Sequence, residues 1–152
     1  MKTWQSVAES LIQRWEGCKL KAYPDPATGD KPYTIGWGHT FDRYGRPIQP
    51  GTVWTQAEAD VLLRRDIEMF GKGFDRLLPN HSWSPRIKGA TVSLIWNIGL
   101  GNFEKSTLRK LLQRGDWEAA GKEFPKWVFA NGKRMKGLEN RRRDEQRVYF
   151  GD

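Results

Sequence analysis

Residues 16–40 read EGCKLKAYPDPATGDKPYTIGWGHT, and the fold depends on how this stretch divides. Before it, Val7, Leu11 and Trp15 recur at helical spacing behind Thr3, a residue suited to N-capping. A helix is therefore expected from Thr3 to about Trp15, with Gly17 as its stop. Glu16 then stands at the carbonyl end of that helix, where the macrodipole disfavours a carboxylate. That field, with any burial beside Trp15, would raise its pKa, the property general-acid catalysis requires. A solvated helix-end glutamate fits the same residues.

Beyond Gly17 the helical period disappears. Turn signals at Pro24-Asp25-Pro26, Thr28-Gly29-Asp30 and Tyr44-Gly45-Arg46 predict a small antiparallel sheet with hairpins. In the strand Tyr33–His39, alternation puts Tyr33, Ile35 and Trp37 on one face and Thr34, Gly36 and Gly38 on the other. The second face is cleared of side chains except one hydroxyl, which suits close approach by a ligand more than by another chain segment. Asp25, held between prolines, is presented by a rigid turn.

The rest of the chain is helical. Thr55-Gln56-Ala57-Glu58 is a capping box opening a helix of roughly twenty residues, with Gly71 and Gly73 weakening its far end. Asp66 borders that helix's apolar stripe and needs a partner, for which His39 is the natural candidate. Ser84 and Pro85 start a segment ending before Gly99, apolar nearly all round. Ser106 opens another helix to Gly115, and Asp116 caps a short one ending near Pro125. A loop through Gly132 and Gly137 leads to a final helix, Leu138 to Phe150. The fold class expected is α+β, mainly α.

Composition narrows the function. The chain has 152 residues, 38% hydrophobic and 29% charged, enough for one domain with a real core. Its net charge of +8 favours encounter with polyanions such as nucleic acid, anionic membrane or cell wall, though a solvated basic surface fits as well. Between Lys133 and Arg147, seven Lys/Arg stand against three Asp/Glu, without any nucleic-acid-binding fingerprint. Eight tryptophans supply flat faces suited to sugar stacking. The single cysteine, Cys18, excludes an internal disulfide and reads as a small buried hydrophobe. His39 and His81 lie far apart, so neither metal nor cofactor is expected. The N-terminal stretch has no apolar run long enough for a signal peptide, a signal-anchor or a membrane span.

Taken whole, Glu16-Gly17, Tyr23, Asp25 and Thr34-Ile35-Gly36-Trp37-Gly38-His39 resemble the phage-type lysozymes, the endolysins of glycoside hydrolase family 24. Later landmarks continue the likeness: Trp96-Asn97-Ile98-Gly99, Ser106-Thr107-Leu108, Glu123-Phe124-Pro125-Lys126-Trp127, and Gly137-Leu138 followed by Arg141-Arg142 and Glu145. The spacing from Glu16 to Asp25 is the family's. The stretch from Asp25 to Thr34 is three residues longer than the family's short form, which makes Asp30 a rival acid; Asp25 keeps the register.

The resemblance implies a single lysozyme domain over residues 1–152. It would comprise a β lobe at 18–54 and a helical lobe at 1–17 plus 79–152, joined by a helix at 55–78, with the substrate cleft between lobes. It implies hydrolysis of the β-1,4 bond between N-acetylmuramic acid and N-acetylglucosamine in peptidoglycan. Glu16 would act as general acid, with Asp25 and Thr34 holding the attacking water in an inverting course. The family places a His39–Asp66 pair here, and sugar contacts are expected at Thr40, Trp96, Asn97, Ser106, Thr107 and Lys122. Arg141 or Arg142 is expected to reach Glu16. Such an enzyme would work as a monomer, without nucleic acid or stable membrane insertion. It would accumulate in the host cytoplasm and reach the wall after a holin opens the inner membrane. The competing readings are a lytic transglycosylase on the same bond and a non-catalytic basic binder of wall or nucleic acid.

Overall fold

Two faces of Thr3 start the chain's first helix. Its Oγ1 accepts from the Ser6 amide at 3.0 Å and its carbonyl from the Val7 amide at 3.1 Å. In the computed structural model, which describes residues 2–79 and 82–151, this helix, α1, runs Trp4–Trp15. His81 lies outside the described residues.

The order that follows is β1 (Lys19–Tyr23), β2 (Thr34–Gly36), α2 (Gln56–Leu77), α3 (Pro85–Ile98), α4 (Leu100–Lys105), α5 (Thr107–Gln113) and α6 (Trp117–Gly121). A 3-10 turn at Phe124–Lys126, a hairpin of β3 (Phe129–Ala130) and β4 (Lys133–Arg134), and α7 (Lys136–Phe150) complete it. The expected α+β class, mainly α with a small antiparallel sheet, is what forms. Among the described residues no helix is long and apolar enough to cross a membrane.

The chain forms two compact units, Gln13–Asp66 and Met1–Ile12 with Ile67–Asp152. The small unit takes in more than residues 18–54, because its core of Ile35, Ile48 and Trp54 is completed by Ala59 and Leu62 from the first turns of α2. The division therefore falls inside α2, between Asp66 and Ile67.

In the helical unit α3 is buried nearly all round, from Ile87 through Ile95, as its apolar run predicts. Ser84 caps it by accepting from the Ile87 amide, and Pro85 occupies the first turn, where its missing N–H costs nothing. Past Gly71 and Gly73, α2 continues to Leu77. The two glycines admit neighbours: a Cβ on Gly71 would lie 2.0 Å from the Trp4 ring, and one on Gly73 2.6 Å from Leu100. That close packing is gained at a loss of helix propensity of about 1 kcal/mol per glycine.

The hairpin at 129–134 replaces the expected loop. Asn131 (φ 53°) and Gly132 (φ 76°) supply the two left-handed residues a tight hairpin turn needs. The final helix consequently starts at Lys136 and includes Gly137.

Candidate active site

The sheet of the small unit places the groups of the opening stretch. Antiparallel pairing sets Lys19 opposite Gly36 and Tyr23 opposite Thr34, so β1 accommodates extra residues in a bulge. Glu16 lies three residues before one end of this ladder and Asp25 two residues beyond the other. Thr34, across from Tyr23, is the first residue of β2. All three side chains are half-buried.

Asp25 is fixed by its own turn. Its Oδ1 accepts from the Ala27 amide at 2.9 Å, and its carbonyl accepts from Thr28 and Gly29. Its amide donates to the Asp30 carbonyl at 2.9 Å, closing the loop between them. Asp30 is exposed on that loop, with its amide bonded to Thr28 Oγ1. The lengthened segment thus forms a closed excursion, and Asp25 stays at its root.

The expected strand Tyr33–His39 ends early. Gly36 (φ 66°) and Gly38 (φ 98°) reverse the chain, and Ile35 and His39 exchange both backbone hydrogen bonds, at 2.9 and 2.8 Å. Alternation therefore fails after Gly36. The space beside Gly36 is not cleared for a ligand either, since a Cβ there would meet Trp54 at 2.9 Å. Glycine is required at this position by its backbone angle and by the indole packed on it.

The turn so formed is secured by side chains. His39, buried, sets Nε2 2.7 Å from Asp66 Oδ2, the partner suggested by the stripe of α2. Trp37 donates its indole N–H to Asp60 Oδ1 at 2.8 Å, and the Gln56 amide donates to the same oxygen at 2.9 Å. Sequence reasoning missed Asp60. Its spacing of four from Gln56 was the available signal. Thr40, half-buried, accepts from the Ile48 amide through its carbonyl.

The helical unit holds the remaining expected residues. Arg141 and Arg142 are buried and both pair with Glu145, which also accepts from Ser93 Oγ at 2.6 Å. Arg142 further donates to the Trp127 carbonyl at 2.8 Å and to Asn97 Oδ1. Burial pushes the Arg142 guanidinium below its ordinary pKa, and Glu145 opposes that shift. Arg141 lies 5.9 Å from the ring centre of Trp96. Ser106 is a buried helix cap, accepting from the Arg109 amide and donating to the Phe103 carbonyl. Thr107 and Lys122 are exposed. Glu145 stood in the sequence only as a landmark beside the two arginines; its pairing with them was legible from its spacing of four and three.

Among the described residues no group of three His, Cys, Asp or Glu side chains is arranged to hold a metal ion. An acid just past a helix end, a second acid in a turn and a hydroxyl across the strand pair are the groups that acid–base chemistry uses.

The family description "phage lysozyme" matches residues 13–145. The endolysin of Bacillus phage PZA is 39% identical over 140 residues, which are 92% of this chain and 52% of that protein. The SAR-endolysin of bacteriophage PS119 is 33% identical over 133 residues, 88% of this chain and 75% of that one. The crystal structure of a P22 lysozyme mutant superposes with a TM-score of 0.83 at 30% identity, covering 99% of this chain and 100% of that one. This chain spans about half the length of the Bacillus phage relatives.

Proposed function

Because the chain belongs to the phage lysozyme family, we propose that it is a muramidase that hydrolyses the β-1,4 bond between N-acetylmuramic acid and N-acetylglucosamine in bacterial peptidoglycan. Glu16 protonates the glycosidic oxygen as the bond to the muramic acid anomeric carbon breaks. A water attacks that carbon from the opposite face and gives up its proton to Asp25, while Thr34 holds the water in line. The anomeric centre inverts, and the two carboxyl groups are spaced by roughly 6.5–9.5 Å to leave room for the water.

The observation that carries this reading is the β1–β2 pairing. One strand leads back to Glu16, the other begins with Thr34, and the hairpin between them is rooted at Asp25. The two acids therefore occupy different settings, a helix end and a hydrogen-bonded turn, as unequal roles require. The chain acts as a monomer on wall peptidoglycan, and a holin gives it access from the host cytoplasm. Its charge of +8 speeds encounter with the anionic wall.

Product analysis in H2(18)O tests the reaction. The account expects reducing muramic acid ends carrying the heavy oxygen, first in the inverted anomer. Anhydro-muramic ends without the label would replace hydrolysis by transglycosylation.

A further inference from the structure

The small unit has a concavity whose lining includes none of Glu16, Asp25 and Thr34. Residues 42–46 form a tight loop in which Asp42 Oδ1 accepts from the Tyr44 amide at 2.8 Å and the Arg46 amide at 2.9 Å. Arg65 of α2 donates to the Arg43 carbonyl at 2.9 Å, pinning the loop to the helix. Between loop and helix lies a cavity of about 340 Å³, within the roughly 300–1,000 Å³ range of small-ligand sites.

Its walls differ in charge. The floor is apolar, made by Trp54 and Leu62, with Val61 beside them 60% exposed. On the loop side Arg43 donates to the Tyr44 hydroxyl at 2.6 Å, and the guanidiniums of Arg43 and Arg46 lie 4.9 and 5.1 Å from the Tyr44 ring. A phenol occupies one N–H of Arg43, so others remain to donate. On the helix side Glu58 uses Oε1 to close the capping box with Thr55, leaving Oε2 as a further acceptor.

A cation and an anion on facing walls over an apolar floor do not suit a polyphosphate, which Glu58 and Asp42 would repel. Nor do they suit a neutral sugar, which needs no ion pair. They fit a dipolar group with a methylene chain. We propose that this groove binds the diamino-acid residue that ends a peptidoglycan tripeptide stem, where its main-chain carboxylate is free. Its carboxylate meets Arg43, its terminal ammonium meets Glu58, and its methylenes cross Trp54, Val61 and Leu62. The site thus grips the peptide of the wall while the Glu16 region works on the glycan, and the inference rests on the proposed peptidoglycan substrate.

The test titrates the isotope-labelled full chain with the free tripeptide alanyl-γ-glutamyl-lysine, following the Trp54 indole and Val61 amide signals. Saturable shifts are expected, with affinity falling about tenfold in Arg43→Ala and in Glu58→Gln, and on acetylating the lysine ammonium. Glu58→Gln keeps the capping box, so a folding defect does not mimic the loss. Arg43→Ala should also lower kcat/KM on peptide-bearing wall while leaving peptide-free glycan strands unaffected. Absent shifts at about 10 mM tripeptide, or binding by either variant as tight as by wild type, would overturn the proposal. The titration needs no turnover, so its failure is separable from failure of the muramidase reading.

Discussion

The turn of the small unit and the charge cluster of the helical unit hold polar groups in opposite ways. At residues 34–39 the backbone does the placing: Gly36 and Gly38 adopt left-handed angles, and His39–Asp66 and Trp37–Asp60 pin the result. In the helical unit the backbone is ordinary helix, and the side chains place one another, with Glu145 fully buried between Ser93, Arg141 and Arg142. Groups held by backbone conformation at half-buried positions can be altered with little loss of packing. Groups held by mutual charge at full burial cannot, since removing the acid leaves buried guanidiniums without their carboxylate. Damage to the first region should therefore read out mainly as activity, and damage to the second mainly as stability.

The sharpest contrast comes from Glu145→Ala. It removes the carboxylate that pairs two buried guanidiniums and should cost roughly 3–5 kcal/mol, lowering the melting temperature by about 10 °C. A calorimetric shift below about 2 °C would mean that the cluster relaxes or hydrates, and the contrast would lose its helical side. Next, Thr34→Ala should reduce wall hydrolysis on the order of 10²-fold by misplacing the water, with an unchanged melt. Thr34→Ser should restore most of the rate, because only the hydroxyl is required.

Gly36→Ala tests both properties at once. It forces a left-handed angle on a residue with a Cβ, worth about 1–2 kcal/mol, and drives that Cβ into Trp54. Both melting temperature and activity should fall, the second by more. Equal melts for wild type and variant would show that the turn yields, and backbone placement would be the weaker description.

How legible this was in the sequence follows the same division. Thr3, Ser84-Pro85 and the capping box at Thr55 announced their helices because local hydrogen bonding decides where helices start. Asp66 declared its need for a partner by its place on the stripe. Spacing alone left Glu16 open between an acid and a solvated helix end; the register shared with a known family brought it together with Asp25 and Thr34. The reversal at Gly36 was misread because alternation carries no sign of φ, so two glycines looked like a cleared strand face. The packing role of Gly71 and Gly73 was hidden for a related reason: what they admit, Trp4 and Leu100, comes from distant sequence. The hairpin at Asn131-Gly132 carried a strong turn signal, but its two-residue strands are too short to show a period.

The smallest expected effect lies at the 42–46 loop that walls the groove beside α2. The backbone amide of Arg46, then that of Tyr44, holds the Asp42 carboxyl below its ordinary 3.8. A depressed acid contributes stability that is fully present above the unfolded value and is lost as pH falls through the folded one. The Tyr44 and Arg46 amide signals should therefore shift at a pH below 3.8, and Asp42→Ala should show the loosened loop at every pH. Signals that titrate at or above 3.8 would remove Asp42 as the loop's anchor.

The central claim is that the small unit delivers a general acid at the end of α1, and Glu16→Gln tests it most directly. Turbidity of outer-membrane-stripped Gram-negative cells should clear roughly 10²–10⁴-fold more slowly with this variant than with wild type, while its melting temperature stays within about 2 °C. Equal clearing by the two proteins would contradict the account.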